Sequence, residues 1–360
     1  MKKKTILYVI DNLGRGGAET LLVGILPELN TSYRVILVTL SDECEFKEEL
    51  IICFRKYSLG FKGKFSFLSC IIKLKKIIRL YHPDLVHAHL LNSTIVARLA
   101  CPATIPIACS VHSLLNKNVF EHSWIYRNLE KWLFQKKHYL IAVSKEVLRD
   151  YEKSIAKPGK SFVLTNYVAD VFVNKGSGKN SRLRNQQLKL VAVGNIRKVK
   201  NYEYLLQCLL LLKALNISLD IYGKGEPTYL NELQQTIKEH NLPVIFKGIC
   251  YEVADELPKY DLYVMPSLLE GFGIAAIEAM AMGLPLALSN LAVLKEVTYN
   301  NALFFKLNDP SSLATILKNI YHGRIDVSSY SSAGISLVKQ HYTKAIYLHK
   351  IDEIYTIILR

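Results

Sequence analysis

The 360-residue chain has no apolar run approaching the roughly 18 residues a membrane-spanning helix needs; the longest, around 279–288, is about ten residues and contains Gly and Pro. Its seven cysteines form no C-x-x-C pair and are odd in number, which argues against a disulfide framework and fits free thiols in a reducing cytoplasm. No D-x-D pair is present to hold a divalent ion on a diphosphate, and neither a P-loop nor a G-x-S-x-G elbow occurs. The opening MKKKTILYVIDN has a basic head, but its apolar run is too short for a secretory signal and reads as a first buried strand. Acidic charge is scarce in the first half. Residues 1–184 carry 29 Lys and Arg against 15 Asp and Glu, whereas 185–360 carry 17 against 16, so nearly all of the net +15 lies in the first half.

A basic half suggests an anionic partner: nucleic acid, an acidic membrane face or phosphate-bearing substrates. The basic residues are not interleaved with a recognisable RNA or DNA motif, so nucleic acid is not expected. Between 56 and 79, Lys73, Lys75, Lys76 and Arg79 alternate with Leu68, Ile71, Ile72 and Ile78. Two readings are open there: the solvated side of a core-packed helix, or a helix lying on a membrane surface.

With 50% hydrophobic and 21% charged residues, the chain is globular and long enough for two domains. Strands are expected at 5–10, 35–40, 85–88, 107–110, 139–143 and 162–164, separated by helices at 18–29, 64–81, 93–100, 125–135 and 145–153. This alternation implies βαβ units around a parallel sheet. The polar stretch NKGSGKNSRLRNQQ, 174–187, reads as a linker. A second series follows, with strands at 189–193, 219–222, 244–246, 262–265 and 285–289 and helices at 202–215, 229–241 and 274–282. The chain closes on a helical stretch from about 333, interrupted near Tyr342.

The run PSLLEGFGIAAIEAMAMGLP, 266–285, carries the most chemistry. Two carboxylates, Glu270 and Glu278, stand eight positions apart, separated by the turn Gly271-Phe272-Gly273 and the start of a helix at Ile274. Glycines let the backbone approach a ligand. The first turn of the helix offers unpaired N–H groups and the positive dipole end, an anion site. At 1.5 Å per residue, Glu278 lies roughly 7–9 Å further along, the reach from a diphosphate to a ribose, whose hydroxyls a carboxylate accepts. Glu270 lies toward the other end of the diphosphate, where a transferred sugar would be. The plainer alternative is a buried helix with a stray glutamate.

This E-x7-E run resembles the signature of the group 1 family of retaining, GT-B-fold glycosyltransferases, and the resemblance extends along essentially the whole chain. It implies an α/β protein of two doubly wound Rossmann-like domains facing a cleft: 1–173 for the acceptor, 188–340 for the nucleotide-sugar donor, and a C-terminal helix, 341–360, crossing back to the N-terminal domain. The loop VAVGNIRKVKN, 191–201, puts cations after a parallel strand, where ligands of open sheets bind. It resembles the family's VGRxxxxKG loop. Lys200 matches the family lysine and Gly194 the glycine; the usual arginine place is Asn195, leaving Arg197 as the nearby arginine. Arg197 and Lys200 suit stabilisation of a departing diphosphate. Gly223 in IYGKGEP and Lys247 in Phe246-Lys247-Gly248 match loops near the base or diphosphate.

In the first domain, NLGRGGAE fails as a dinucleotide fingerprint because Glu19 stands where a glycine is required. It is similar to the family's GGAE loop, which implies that Gly16 and Gly17 approach donor or acceptor, with Arg15 beside them. His112 matches the strand-end histidine that contacts the donor sugar in the family, and His89 is expected to line the cleft. His87 and His89 face one side of a strand, but a lone pair without a third ligand is weak evidence for a metal. The resemblance thus implies a metal-independent, retaining hexosyltransferase with no cofactor. Its donor is a nucleoside-diphosphate sugar, UDP-sugar first, and its acceptor a glycan or polyprenyl-diphosphate-linked sugar in capsule, O-antigen or exopolysaccharide synthesis. The setting expected is cytoplasmic, with peripheral contact to the anionic inner membrane face. The alternatives on the same fold are a nucleotide-sugar epimerase and a sugar phosphorylase.

Overall fold

The computed structural model describes residues 3–176 and 187–360. They form two compact units, one of residues up to Tyr167 together with Lys344–Arg360, the other Val168–Thr343. Most of the expected linker, 177–186, lies outside the described residues. The division in the described chain falls earlier than 173. The Val168 N–H donates to Tyr342 O at 2.7 Å, and helix Asp170–Lys175 packs on helix Ile274–Ala281, so 168–173 belong with the second unit.

The first unit holds seven parallel strands: β1 (Thr5–Ile10), β2 (Arg34–Thr39), β3 (Arg55–Ser58), β4 (Leu85–His89), β5 (Ile107–Val111), β6 (Tyr139–Ala142) and β7 (Lys160–Val163), in the order β3-β2-β1-β4-β5-β6-β7. β1 shows why TILYVI is apolar throughout. Ile6, Tyr8 and Ile10 enter one core with helices Gly17–Ser32 and Lys344–Ile358, while Leu7 and Val9 enter a second core with Phe67–Tyr81 and Leu91–Ala100. A strand buried on both faces has no polar side to show. The short RKYS of β3 was not expected from sequence, because an edge strand tolerates charge.

The second unit has six parallel strands: β8 (Leu188–Val193), β9 (Ile217–Tyr222), β10 (Val244–Gly248), β11 (Leu262–Met265), β12 (Leu286–Ser289) and β13 (Leu303–Phe305), in the order β10-β9-β8-β11-β12-β13. β13, three residues long, also escaped the sequence pattern. Both sheets reverse their order of growth once: between β1 and β4 in the first, between β8 and β11 in the second. Loops leaving adjacent strands diverge there, opening a crevice at the carboxyl ends where ligands of open α/β sheets bind. The terminal helical stretch is two helices, Ser328–His341 and Lys344–Ile358, broken at Tyr342 and Thr343. The second helix belongs to the first unit, where Ile351, Ile354, Tyr355 and Ile358 are buried.

Candidate active site

In the second unit the loops after β8 and β11 meet at the switch point. Lys200 Nζ lies 2.6 Å from Glu270 Oε1, and Ser267 Oγ donates to the same oxygen at 2.7 Å. The pair is mostly shielded, with side-chain exposures of 24% and 10%, so charge there is screened less than at the surface. The two loops are tied together by the Leu268 N–H donating to Val199 O at 2.9 Å. The loops after β8, β9 and β10 are joined in the same way: Gly194 N–H to Tyr222 O at 2.9 Å and Gly223 N–H to Gly248 O at 2.8 Å. Gly223 has φ +150, and a Cβ on it would stand 2.1 Å from Gly194 O, so only glycine permits this approach.

Gly273, at φ +80, turns the chain into helix Ile274–Ala281. Glu278 sits half-buried on this helix with no hydrogen-bond partner among the described residues, and burial pushes its carboxyl up to about 7. A carboxylate left unpaired in an apolar helix is a site waiting for donors. Phe272 is buried edge-on against Tyr342, 5.6 Å between centroids, and anchors the turn rather than facing a ligand. Arg197 is exposed, and its guanidinium makes no hydrogen bond or ion pair among the described residues. Lys247 turns toward Asp220, 3.7 Å away, in a groove along β8–β10 with Lys189, Lys259 and Tyr260. It does not join the Lys200–Glu270 pair.

In the first unit Asp11, just past β1, accepts hydrogen bonds from Ser93 N (2.8 Å), Ser93 Oγ (2.6 Å) and Asn92 Nδ2 (3.0 Å), tying the β1 loop to the first turn of the helix that follows β4. Gly17 opens helix Gly17–Ser32 directly after Gly16, and exposed Arg15 lies over the Phe46 ring, 5.5 Å from its centroid. Three histidine rings lie against one another behind: His87 tilted on His89 at 4.3 Å, and His89 stacked on His112 at 5.2 Å. His87 has its nitrogens occupied by Tyr355 Oη (2.6 Å) and Ser110 Oγ (2.8 Å), so it is a structural core residue and not half of a metal pair.

His89 was expected to line a cleft, but it is fully buried and instead backs His112, Nδ1 to Nε2 at 3.0 Å. Desolvation keeps both rings neutral, holding His112 down to about 4 and His89 well below its ordinary value. One proton serves their mutual contact. Of the two remaining nitrogens, His89 Nε2 and His112 Nδ1, one therefore carries hydrogen and the other a lone pair, and neither has a partner among the described residues. His112 also borders a cavity of about 150 Å³ with Thr94, Ser110 and the buried pair Arg98–Glu130, 2.7 Å.

Sequence comparison assigns these two units. Residues 187–322 match the profile of "Glycosyl transferases group 1", and 15–169 match "Glycosyltransferase Family 4". The chain is a group 1 glycosyltransferase of the GT-B fold. The transferase is 22% identical over 371 residues to the O-antigen biosynthesis glycosyltransferase WclY of Escherichia coli, covering 99% of both chains. It is 26% identical over 288 residues, 76% of this chain and 77% of the other, to a Campylobacter jejuni N-acetylgalactosamine-N,N'-diacetylbacillosaminyl-diphospho-undecaprenol 4-alpha-N-acetylgalactosaminyltransferase. Its fold matches the crystal structure of Anabaena HepE in complex with UDP, with TM-score 0.84 at 18% identity over 98% of this chain and 99% of the other.

Within the second unit of the transferase, the fold brings together Lys200, Glu270, Gly194, Gly223 and the turn Gly271–Gly273. Sequence reasoning missed Ser267, which donates to Glu270, and Tyr202, whose hydroxyl donates to Gly194 O at 3.1 Å. Ser267 was legible three residues before Glu270 in the same motif; Tyr202 carries no such signal, since it reads as the first apolar residue of a helix. Asp11 and the Asp11–Ser93 contacts were missed as well, because their partners are 82 positions apart.

Proposed function

We propose that this transferase moves a sugar from a UDP-sugar to a lipid-linked or glycan acceptor with retention at the anomeric carbon, in the assembly of a surface polysaccharide. The Lys200–Glu270 pair at the second sheet's switch point, beside the glycine turn and the unpartnered Glu278, carries this reading. Glu278 accepts the ribose hydroxyls, and the turn and first helical N–H groups receive the diphosphate. Lys200, with Arg197 beside it, offsets the negative charge that grows on the leaving group, the work a divalent ion does elsewhere; no metal is required in this scheme.

The acceptor hydroxyl oxygen bonds to the anomeric carbon on the face the diphosphate leaves. The carbon–phosphate-oxygen bond breaks, and the hydroxyl proton passes to the departing phosphate, releasing a nucleoside diphosphate. Support for UDP comes from the UDP held by the HepE fold neighbour, and support for a lipid-diphosphate acceptor from the name of the Campylobacter relative. The enzyme acts at the cytoplasmic face of the membrane, which its basic first half favours. Among the described residues, no helix is long and apolar enough to cross a membrane.

Incubation with a panel of UDP-sugars and polyprenyl-diphosphate-linked acceptors tests this reading, with the anomeric configuration of the product read by proton NMR in the presence of a chelator. An inverted product, or transfer abolished by chelation, overturns the scheme. Lys200→Ala should lower kcat about 100-fold or more, with a smaller change in donor affinity, if its charge acts chiefly in the transition state.

A further inference from the structure

The sequence holds only two tryptophans, and both lie on one ten-residue helix, Trp124–Leu133, of the first unit. This helix is turned inside out. Trp124 is 72% exposed, Trp132 75% and Ile125 59%, while Glu130 is 1% exposed, paired to Arg98 and receiving the Tyr151 hydroxyl at 2.6 Å. An ordinary surface helix buries its tryptophans and shows its carboxylates to water. Here the outward positions 124, 125, 128, 131 and 132, at i, i+1, i+4, i+7 and i+8, form a strip of Trp, Ile, Asn, Lys and Trp. Exposed lysines Lys131, Lys136 and Lys137 stand at its carboxyl-terminal end.

The strip is not isolated. Helix Leu91–Ala100 packs against both Trp124–Leu133 and Phe67–Tyr81. Phe67–Tyr81 buries Cys70, Leu74, Ile77 and Ile78, yet leaves Leu68, Ile72 and Leu80 exposed among Lys73, Lys75, Lys76 and Arg79. Two helices that share this neighbour therefore combine outward apolar side chains with outward cations, in a unit that holds 28 Lys and Arg against 16 Asp and Glu.

We infer that the outward face of Trp124–Leu133 docks into the headgroup region of an anionic lipid bilayer, with Trp124, Ile125 and Trp132 inserted and the neighbouring lysines, with those of Phe67–Tyr81, on the lipid charge. Indole has an apolar body and an N–H that stays wet, which suits it to the boundary between acyl chain and water. The flanking cations match anionic headgroups, whereas a second copy of this basic unit would bring like charges together. The surface gives the lipid-linked acceptor of the proposed function a physical setting and rests on that reading for its purpose. The binding itself needs no transfer chemistry.

The two tryptophans are their own reporter. On titration with vesicles of phosphatidylcholine and phosphatidylglycerol, the intrinsic emission of the full chain should shift to the blue, and pure phosphatidylcholine should bind at least about tenfold more weakly. Trp124→Gln with Trp132→Gln, both at exposed positions, should lower the vesicle partition coefficient about tenfold or more, read by co-sedimentation, with UDP affinity unchanged. Lys131→Glu, Lys136→Glu and Lys137→Glu together should weaken binding at low salt and flatten its dependence on salt, while the residual blue shift persists. No emission shift with anionic vesicles overturns the inference. So does a shift that appears without lipid and grows with protein concentration, which assigns the face to self-association. Loss of UDP binding in the unaltered protein would overturn the donor-site reading and leave the vesicle result standing.

Discussion

Glu278 is a carboxyl in an apolar helix, raised to about 7 by burial, with no hydrogen-bond partner among the described residues. Its raised pKa means that the folded state binds the proton more tightly than the unfolded chain between about 4.5 and 7. Stability contributed by the neutral carboxyl is therefore present below that window and is lost as pH rises through it. Glu278→Gln should raise the thermal midpoint of the free protein by roughly 2–4 °C above pH 8 and leave it unchanged near pH 4, read by calorimetry. Donor binding should work in the opposite sense, since accepting two ribose hydroxyls requires the carboxylate. UDP affinity should strengthen as pH rises through about 7, with proton release on binding below that value. A flat affinity profile would detach Glu278 from the ribose. The residue was legible because its motif confines chemistry to a short run; its unusual acidity was not, since burial is a property of neighbours far along the chain.

Helices and strands divide by the same reasoning. The central strands, apolar on both faces, declare themselves in sequence, whereas the edge strand β3 and the three-residue β13 have neither the length nor the pattern. Helix Trp124–Leu133 was expected at almost its true place, but the direction it faces was not legible. Its apolar residues suggest a core side, yet the fold buries Glu130 and Leu133 and leaves Trp124, Ile125 and Trp132 outside, with Glu130 paired to Arg98. Helix Lys344–Ile358 shows how remote segments join: Tyr355 bonds both Tyr8 and His87, and Lys344 Nζ lies 2.8 Å from Glu28 Oε1. Tyr355→Phe removes one hydroxyl and strands two buried partners, so it should cost about 1–3 kcal/mol in urea unfolding, with donor affinity unchanged because the donor residues lie in the other unit. An unaltered unfolding midpoint would show that these contacts contribute nothing.

Across the whole molecule, burial depresses His87 to about 3, His112 and His138 to about 4, and His89 well below 6.5. These groups are neutral in the fold and take up protons on unfolding once the pH drops under about 6.5. The stability they allow is complete above that value and is lost as pH falls toward 4. Urea midpoints measured down this range should fall steeply, and His87→Gln, in the core, should flatten the slope even if it lowers the plateau. An unchanged slope would mean that the histidines titrate as if exposed.

By itself the sequence determined the α/β class, the two series of parallel strands, the family, and the run in which both glutamates stand, because periodicity and a motif at short range are local properties. Only the tertiary structure decided which groups meet. Lys200 reaches Glu270 across 70 positions because β8 and β11 are neighbours at a switch point. His89 hides behind His112 because β4 and β5 pair in register, and Trp132 faces outward on a helix that turns Glu130 and Leu133 inward, Glu130 to Arg98. Strand order and burial arise from pairings between distant segments, and no window of the sequence contains both partners.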